Sequence, residues 1–429
     1  MNLFDVNSIN VIKKRKCYII IANSITGIGG GDIYTNNIIK SAKDKGYMPI
    51  VIHDAYGTQV YIKDLEPYSK NVCKYINLPP SFYIKHKCED IVQQLMSFVE
   101  EANAESIIES QTLVGATWGE LVAKQLKCIH LIRPLPEHQD VQNLEMFRFL
   151  KFKYDRHELA GIHPQIIPTM FAPFWKDTTP PVGFYLPARC TNVLVNETCP
   201  EECVMGRADY TIGMVGRINK PFVLPVFDNF VKFAKRYKEK TINILLIGGR
   251  PQEKAIDSIV SKFSGITNVN LQITGQMYPI PSGLVRQADV YVSSAGSCLI
   301  SYNCGVPTIS VDGNDYKAIG VFGKTTKETF LRKNEPQIEV DVLLEDILVK
   351  GKYKKEDYLN IITVDFPEHW EFIKQMSKQR CYFDVMSIPS IEKKEWRKHS
   401  YFLFNCFSYN HYMAFLHLYK KFLHLRALC

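Results

Sequence analysis

The stretch ADVYVSSAGSCLISYNCGVPTISVD, residues 288–312, opens and closes on apolar, β-branched runs, with a small-residue turn and a short helical segment between them. Runs of that kind and length read as buried strands, so the order is strand, turn, helix, strand. Such a turn aims backbone N–H groups and a helix N-terminus at one point, which suits an anion. Yet no acidic or basic side chain lies between Asp289 and Asp312. A cation at that point has to come from another loop.

The alternation extends in both directions. YTIGMVG (210–216), INILLIGG (242–249) and NVNLQITG (268–275) read as strands upstream of the stretch, with helices between. In the first half, CYIIIA (17–22) is a buried strand, GGDIYTNNIIKSAKDKGY (30–47) a helix ending near Gly46, and MPIVIHD (48–54) the next strand. Helix 88–104, strand 105–110, helix 118–127 and strand 128–135 continue the series. Residues 173–205 are proline-rich without a clear period, as a connection between domains would be. The expected fold class is α/β: two Rossmann-like doubly wound domains facing across a cleft, at 1–180 and 206–375, with a C-terminal helical tail at 376–429.

Composition excludes several classes. At 429 residues the chain exceeds one comfortable core, and 46% apolar residues leave no reason for extended disorder. The net charge of +8 suits acidic ligands, but Lys and Arg are interspersed with Asp and Glu, which disfavours nucleic acid. Twelve cysteines without an even framework read as reduced and cytoplasmic. Cys190, Cys199 and Cys203 lack paired knuckles and a nearby His, so no metal is expected. No apolar run reaches the ~18 residues of a membrane span, and the N-terminal run is too short for a signal segment.

Ligands of open parallel sheets bind beyond the carboxyl ends of the strands. After the first strand, NSITGIGGGDIYT places Gly27, Gly29, Gly30 and Gly31 ahead of a helix, where a ligand can approach the backbone. A dinucleotide fingerprint is not met, because NSIT intervenes and Asp32 stands where the third glycine belongs. GMVGRINKP leaves its strand through Gly216 and presents Arg217 and Lys220, two cations able to neutralise a diphosphate. CIHLIRPLPEHQD ends its strand with Arg133, Glu137 and His138, of which the last two are candidate bases. The charges of FKYDRHELAGIHPQ (152–165) read as a helix surface.

The Gly-Arg-x-x-Lys loop, LLIGG, ITGQM, ADVYVSSAGS and NCGVPTISVD together resemble the donor-binding domain of GT-B glycosyltransferases, especially the sugar-nucleotide-dependent group that includes bacterial polysaccharide enzymes. GIGGGDIYTNNIIKSAKDKGYMPIVIHD is similar to their acceptor domain, and the likeness runs over roughly residues 17 to 330. It implies transfer of a sugar from a nucleotide-sugar to a glycan or lipid-linked hydroxyl. Gly216, Arg217, Lys220, Gly249, Gln276, Gly296 and Ser297 would bind the donor, and Gly29, Gly30 and Gly31 the acceptor. No metal or other cofactor is implied, and no D-x-D motif is present. The family's E-x7-E pair is replaced by Ser294, Ala295, Ile300 and Ser301, so the catalytic group is sought at Glu137, with His138 second. A nucleotide-sugar epimerase and a non-catalytic binding protein of the same fold are the alternatives. The aromatic, basic tail 395–429 suits an anionic membrane surface at the inner face of the membrane or a helix packed back onto the first domain.

Overall fold

The computed structural model describes residues 14–22, 25–53, 60–71, 75–136, 141, 143–190, 192–249, 254–361, 364–390 and 405. The chain forms two compact units. Met1–Gly27, Tyr34–Arg189 and Asp365–Cys429 make the first, and Ile28–Ile33 with Cys190–Val364 make the second.

The first unit carries a sheet of β1 (Cys17–Ala22), β2 (Met48–His53), β3 (Ser69–Asn71), β4 (Ile107–Ser110) and β5 (Ile129–Ile132), in the order β3-β2-β1-β4-β5. Every pairing is parallel. Central β1 is buried on both faces, which is why its sequence is an unbroken apolar run instead of an alternation. Ile19 and Ile21 pack on one face with α2 (Lys85–Phe98) and with Trp118 of α3 (Leu113–Leu126). Tyr18, on the other face, meets side chains of α1 (Gly30–Asp44) and α11 (Pro367–Gln375) around Glu109. α4 (Leu144–Asp155) and α5 (Ile166–Phe171) add a further aromatic core through Phe147, Phe149 and Phe171. Thr112 and Asn143 start α3 and α4 by accepting the N–H groups of Gly115 and Met146.

One expectation changes here. The chain returns to the first unit at Asp365, so the last residues read as second domain belong with the first. On α11, Trp370 stacks on Tyr47 with ring centroids 5.7 Å apart and donates to Ser41 Oγ at 2.8 Å. The returning helix sought at 395–429 falls outside the described residues, apart from Asn405, whose Oδ1 accepts the Ile84 N–H at 2.9 Å.

The second unit has a six-stranded sheet of β7 (Tyr210–Val215), β8 (Ile242–Ile247), β9 (Val269–Gly275), β11 (Val290–Ser293), β12 (Thr308–Val311) and β13 (Ala318–Val321), ordered β13-β12-β11-β7-β8-β9. All neighbours run parallel except β13, which is antiparallel to β12. β6 (Leu194–Val195) and β10 (Ile280–Pro281) form a separate small ribbon. Helices α6 (Val223–Arg236), α7 (Lys254–Lys262) and α10 (Val340–Leu348) cover one face, and α8 (Ser282–Val285) and α9 (Cys298–Asn303) pack with Leu245, Ile247 and Tyr291 on the other. The register pairs Val215 with Ile247 and Ser293 with Ser310, which aligns the carboxyl ends of these strands along one edge. Both units are therefore α/β with helices on both faces of a parallel or, in the second, mainly parallel sheet, the fold class that the strand runs imply.

Candidate functional site

At β7, β8 and β9 the carboxyl edge of the second unit's sheet passes into glycine. β7 gives way to Gly216 (φ +139°) and β8 to Gly248 (φ +150°), conformations open to glycine and strained for other residues. A side chain on Gly248 would strike the Gly216 carbonyl oxygen, and one on Gly216 would lie 3.2 Å from Ser297 Oγ. Gly249 and Gly275 extend the same edge, with Gly248 bridged to Gly275. At Gly248 the neighbouring strand end approaches too closely for a Cβ, and at Gly216, Gly249 and Gly275 the positive φ favours glycine.

The turn after Gly216 is anchored by Ile218, which is buried in the core and lies against Gly249. Arg217 and Lys220 flank this anchor and point to solvent. Neither side chain has a hydrogen bond or ion pair among the described residues, although the Lys220 carbonyl accepts the Val223 N–H at 3.1 Å. A fixed turn thus carries two unneutralised cations beside exposed peptide groups, which can bind an anionic ligand such as a diphosphate.

At the end of β11, Ser294 Oγ donates to the Val311 carbonyl at 2.9 Å, and Ala295 enters the left-handed region with φ 55°. Ala295–Ser297 is a 3₁₀ turn that leads into the six-residue α9. No side chain caps the turn. Gly296 is exposed and Ser297 half-buried, at the place the sequence assigns them. The structure therefore brings Gly216, Gly249 and Ser297 onto neighbouring strand ends, with partly buried Gln276 following Gly275.

In the glycine loop after β1, the Gly29 N–H donates to Asp32 Oδ2 at 2.8 Å, and the exposed Gly30 and Gly31 form the first turn of α1. Asp32, the residue that breaks the dinucleotide pattern, thus steadies the glycine turn. Glu137 and His138 lie outside the described residues. Arg133, just before them, is not a loop residue facing a ligand. It is fully buried, with its guanidinium 4.0 Å from the Tyr34 ring centroid and Nη2 donating to the Leu186 carbonyl at 2.7 Å.

Two buried polar clusters escaped the sequence reading. In one, the Tyr18 hydroxyl lies 2.5 Å from Glu109 Oε2 and 2.6 Å from His369 Nε2, while Tyr34 donates to the same Glu109 oxygen at 3.1 Å. Burial, together with the Arg133 charge, holds His369 well below the usual imidazole range. In the other, His130 Nδ1 lies 2.7 Å from Glu120 Oε2 and its Nε2 lies 2.9 Å from Ser110 Oγ. Lys153 Nζ lies 2.8 Å from Glu120 and 2.7 Å from Glu158. Burial pushes Glu120 upward, but His130 and Lys153 outweigh it and hold the carboxyl at about 2. The Ser–His–Glu order has the shape of a hydrolytic triad, yet all three residues are sealed, and a side chain at Gly119 would already strike Ser110 and His130. Glu158, read as helix surface, is interior instead, because Lys153 at 2.7 Å and Arg156 at 3.0 Å neutralise it.

Among the described residues, no group of three or more His, Cys, Asp or Glu is placed to hold a metal ion, and no helix is long and apolar enough to cross a membrane. No family model matches the chain. No curated protein matches it in sequence. Solved structures do match its fold. A glycosyltransferase from Rickettsia africae superposes with a TM-score of 0.53 at 13% identity, over 87% of this chain and 96% of that one. Alr3699/HepE of Anabaena, solved with UDP and glucose, superposes with a TM-score of 0.52 at 13% identity, over 85% and 96%. These neighbours are GT-B glycosyltransferases, and the chain has the GT-B fold.

Proposed function

We propose that the chain is a glycosyltransferase that binds a nucleotide-sugar at the glycine edge of its second unit and passes the sugar to a hydroxyl of a surface glycan or glycolipid. The observation that carries this reading is the pair of unpaired cations, Arg217 and Lys220, on an anchored turn beside strand ends stripped of side chains. The complexes of HepE with UDP and with UDP-glucose support a uridine diphosphate donor. In this reading the cations and backbone N–H groups stabilise the departing diphosphate, with no metal needed. Gly29, Gly30 and Gly31 meet the acceptor, Glu137 takes its proton with His138 as second candidate, and residues 395–429 rest on an anionic membrane surface or on the first unit.

A thermal-shift panel of sugar nucleotides tests the reading, since a ligand at a hundred times its Kd adds about 2.7 kcal/mol of stability. The expected result is stabilisation by a UDP-sugar, and by UDP itself, with sugar transfer once an acceptor glycan is supplied. Conversion of the nucleotide-sugar without acceptor would instead make the chain an epimerase, and binding with no turnover a binding protein. Glu137→Gln should lower turnover by ~10²–10⁴ at nearly constant donor affinity. Should His138→Ala lose activity while Glu137→Gln keeps it, the imidazole is the base.

A further inference from the structure

Residues 329–332 lie across the carboxyl ends of β11 and β12 and are pinned there. The Thr329 carbonyl accepts the Ala295 N–H at 2.7 Å, the Phe330 carbonyl accepts the Gly313 N–H at 2.7 Å, and the Arg332 N–H donates to Asp312 Oδ2 at 2.7 Å. The Arg332 guanidinium adds bonds to Asp315 Oδ2 at 2.6 Å and to the Ala318 carbonyl at 3.0 Å. Within this fixed segment two large apolar side chains face water: Phe330 is 45% and Leu331 46% exposed. The Phe330 ring lies on Gly313, where a Cβ would come within 2.5 Å of Cε2. One side of the ring is backed by bare backbone, nearly half of the residue is open to solvent, and the preceding residue, Thr329, is bonded to the Ala295–Ser297 turn. A rigid loop that displays apolar surface beside a binding edge forgoes the burial that would stabilise it, which points to a ligand.

We propose that Phe330, with Leu331 beside it, is the wall against which the sugar ring of the donor rests, making this loop the element that selects the sugar. The inference depends on the reading of the glycine edge as the donor site. Its direction comes from the order of the strands. A diphosphate at Gly216 and Ser297 sits over the ends of β7 and β11. On one side two more parallel strands, β8 and β9, offer their carboxyl ends, about 4.8 Å apart. On the other side only β12 does, because β13 runs the opposite way. The longer arm of a nucleotide-sugar, the nucleoside, fits over β8 and β9, where Gly249 and Gln276 stand. The shorter arm, a single pyranose bonded directly to the second phosphate, reaches β12 and Phe330. An aromatic face suits the C–H face of a sugar ring and makes no demand on charge.

Calorimetric titration with UDP and with UDP-glucose, UDP-galactose and UDP-N-acetylglucosamine separates the arms. Phe330→Ala should weaken the preferred UDP-sugar about tenfold and leave UDP within about twofold, the scale of one aromatic contact. Phe330→Leu, which keeps apolar bulk, should fall between. Equal losses for UDP and UDP-sugar would overturn the proposal by placing Phe330 against the nucleoside, and so would an unchanged UDP-sugar affinity. If Phe330→Ala melts early, Phe330→Leu and Leu331→Ser carry the same comparison. Failure of the unsubstituted protein to bind UDP or any UDP-sugar would refute the donor site itself, and this inference with it.

Discussion

The buried clusters of the first unit and the glycine edge of the second handle charge in opposite ways. In the first, Glu109, Glu120, Arg133 and Lys153 are sealed inside, each next to other polar groups. In the second, β7, β8 and β9 end in glycine and Arg217 and Lys220 stand in water. Sealed charges hold one arrangement of their own unit and have no route to a substrate. Exposed cations on an anchored turn hold nothing in place, and remain available to a ligand. Residue type alone does not separate these roles, but burial and partners do.

The comparison breaks first at Lys153. Lys153→Met leaves the buried Glu120 carboxylate without a cation, while Glu158 keeps Arg156, and should cost about 3–5 kcal/mol in urea unfolding, with little effect on UDP binding. A loss below about 1 kcal/mol would mean that the network is wet and the contrast between the units unfounded. The reverse pattern is expected of Arg217→Ala combined with Lys220→Ala. UDP affinity should drop by about 1.5–3 kcal/mol while unfolding stays within about 0.5 kcal/mol. Unchanged affinity in that double variant would remove the clamp.

Acidification sharpens the contrast with a smaller effect. Burial lowers His53 to about 4, and lowers His130 and His369 as well. These imidazoles are neutral when folded, so the unfolded chain binds more protons below about pH 6.5 and stability falls as pH falls. From pH 7 to 6, His53 alone should account for about 0.7 kcal/mol, read from urea midpoints and absent in His53→Gln. Below pH 4.5, Glu120 adds a loss of the same sign that continues toward its folded value of about 2. A midpoint that rises on acidification would show the imidazoles charged in the folded state.

The strands were legible wherever they are central. CYIIIA is β1 to the residue, and the second unit's runs match β7, β8, β9, β11 and β12 but for frayed ends. β3 was missed because its three residues, Ser69–Asn71, form a polar edge strand with no apolar run to announce it. The helix expected at 88–104 occupies Lys85–Phe98 and stops because Val99 leaves helical geometry, although the residues that follow have helical composition. The positions of the glycine-edge loops were readable because each glycine or cation sits in one short motif behind a strand. The buried clusters were not, since Ser110, Glu120, His130 and Lys153 come from β4, α3, β5 and α4 and meet only when the sheet is wound.

The sealed Ser110–His130–Glu120 trio has a consequence for covalent labelling. Fluorophosphonate probes mark a serine when a histidine and a carboxylate activate it and when the reagent can enter. Folded, this chain supplies the activation without the entry. Unfolded, it supplies the entry without the activation, because the three residues then lie on separate stretches of a loose chain. Ser110 should stay unmarked in either state, so atomic arrangement alone, without a path for the reagent, is an unsafe guide to which serines react.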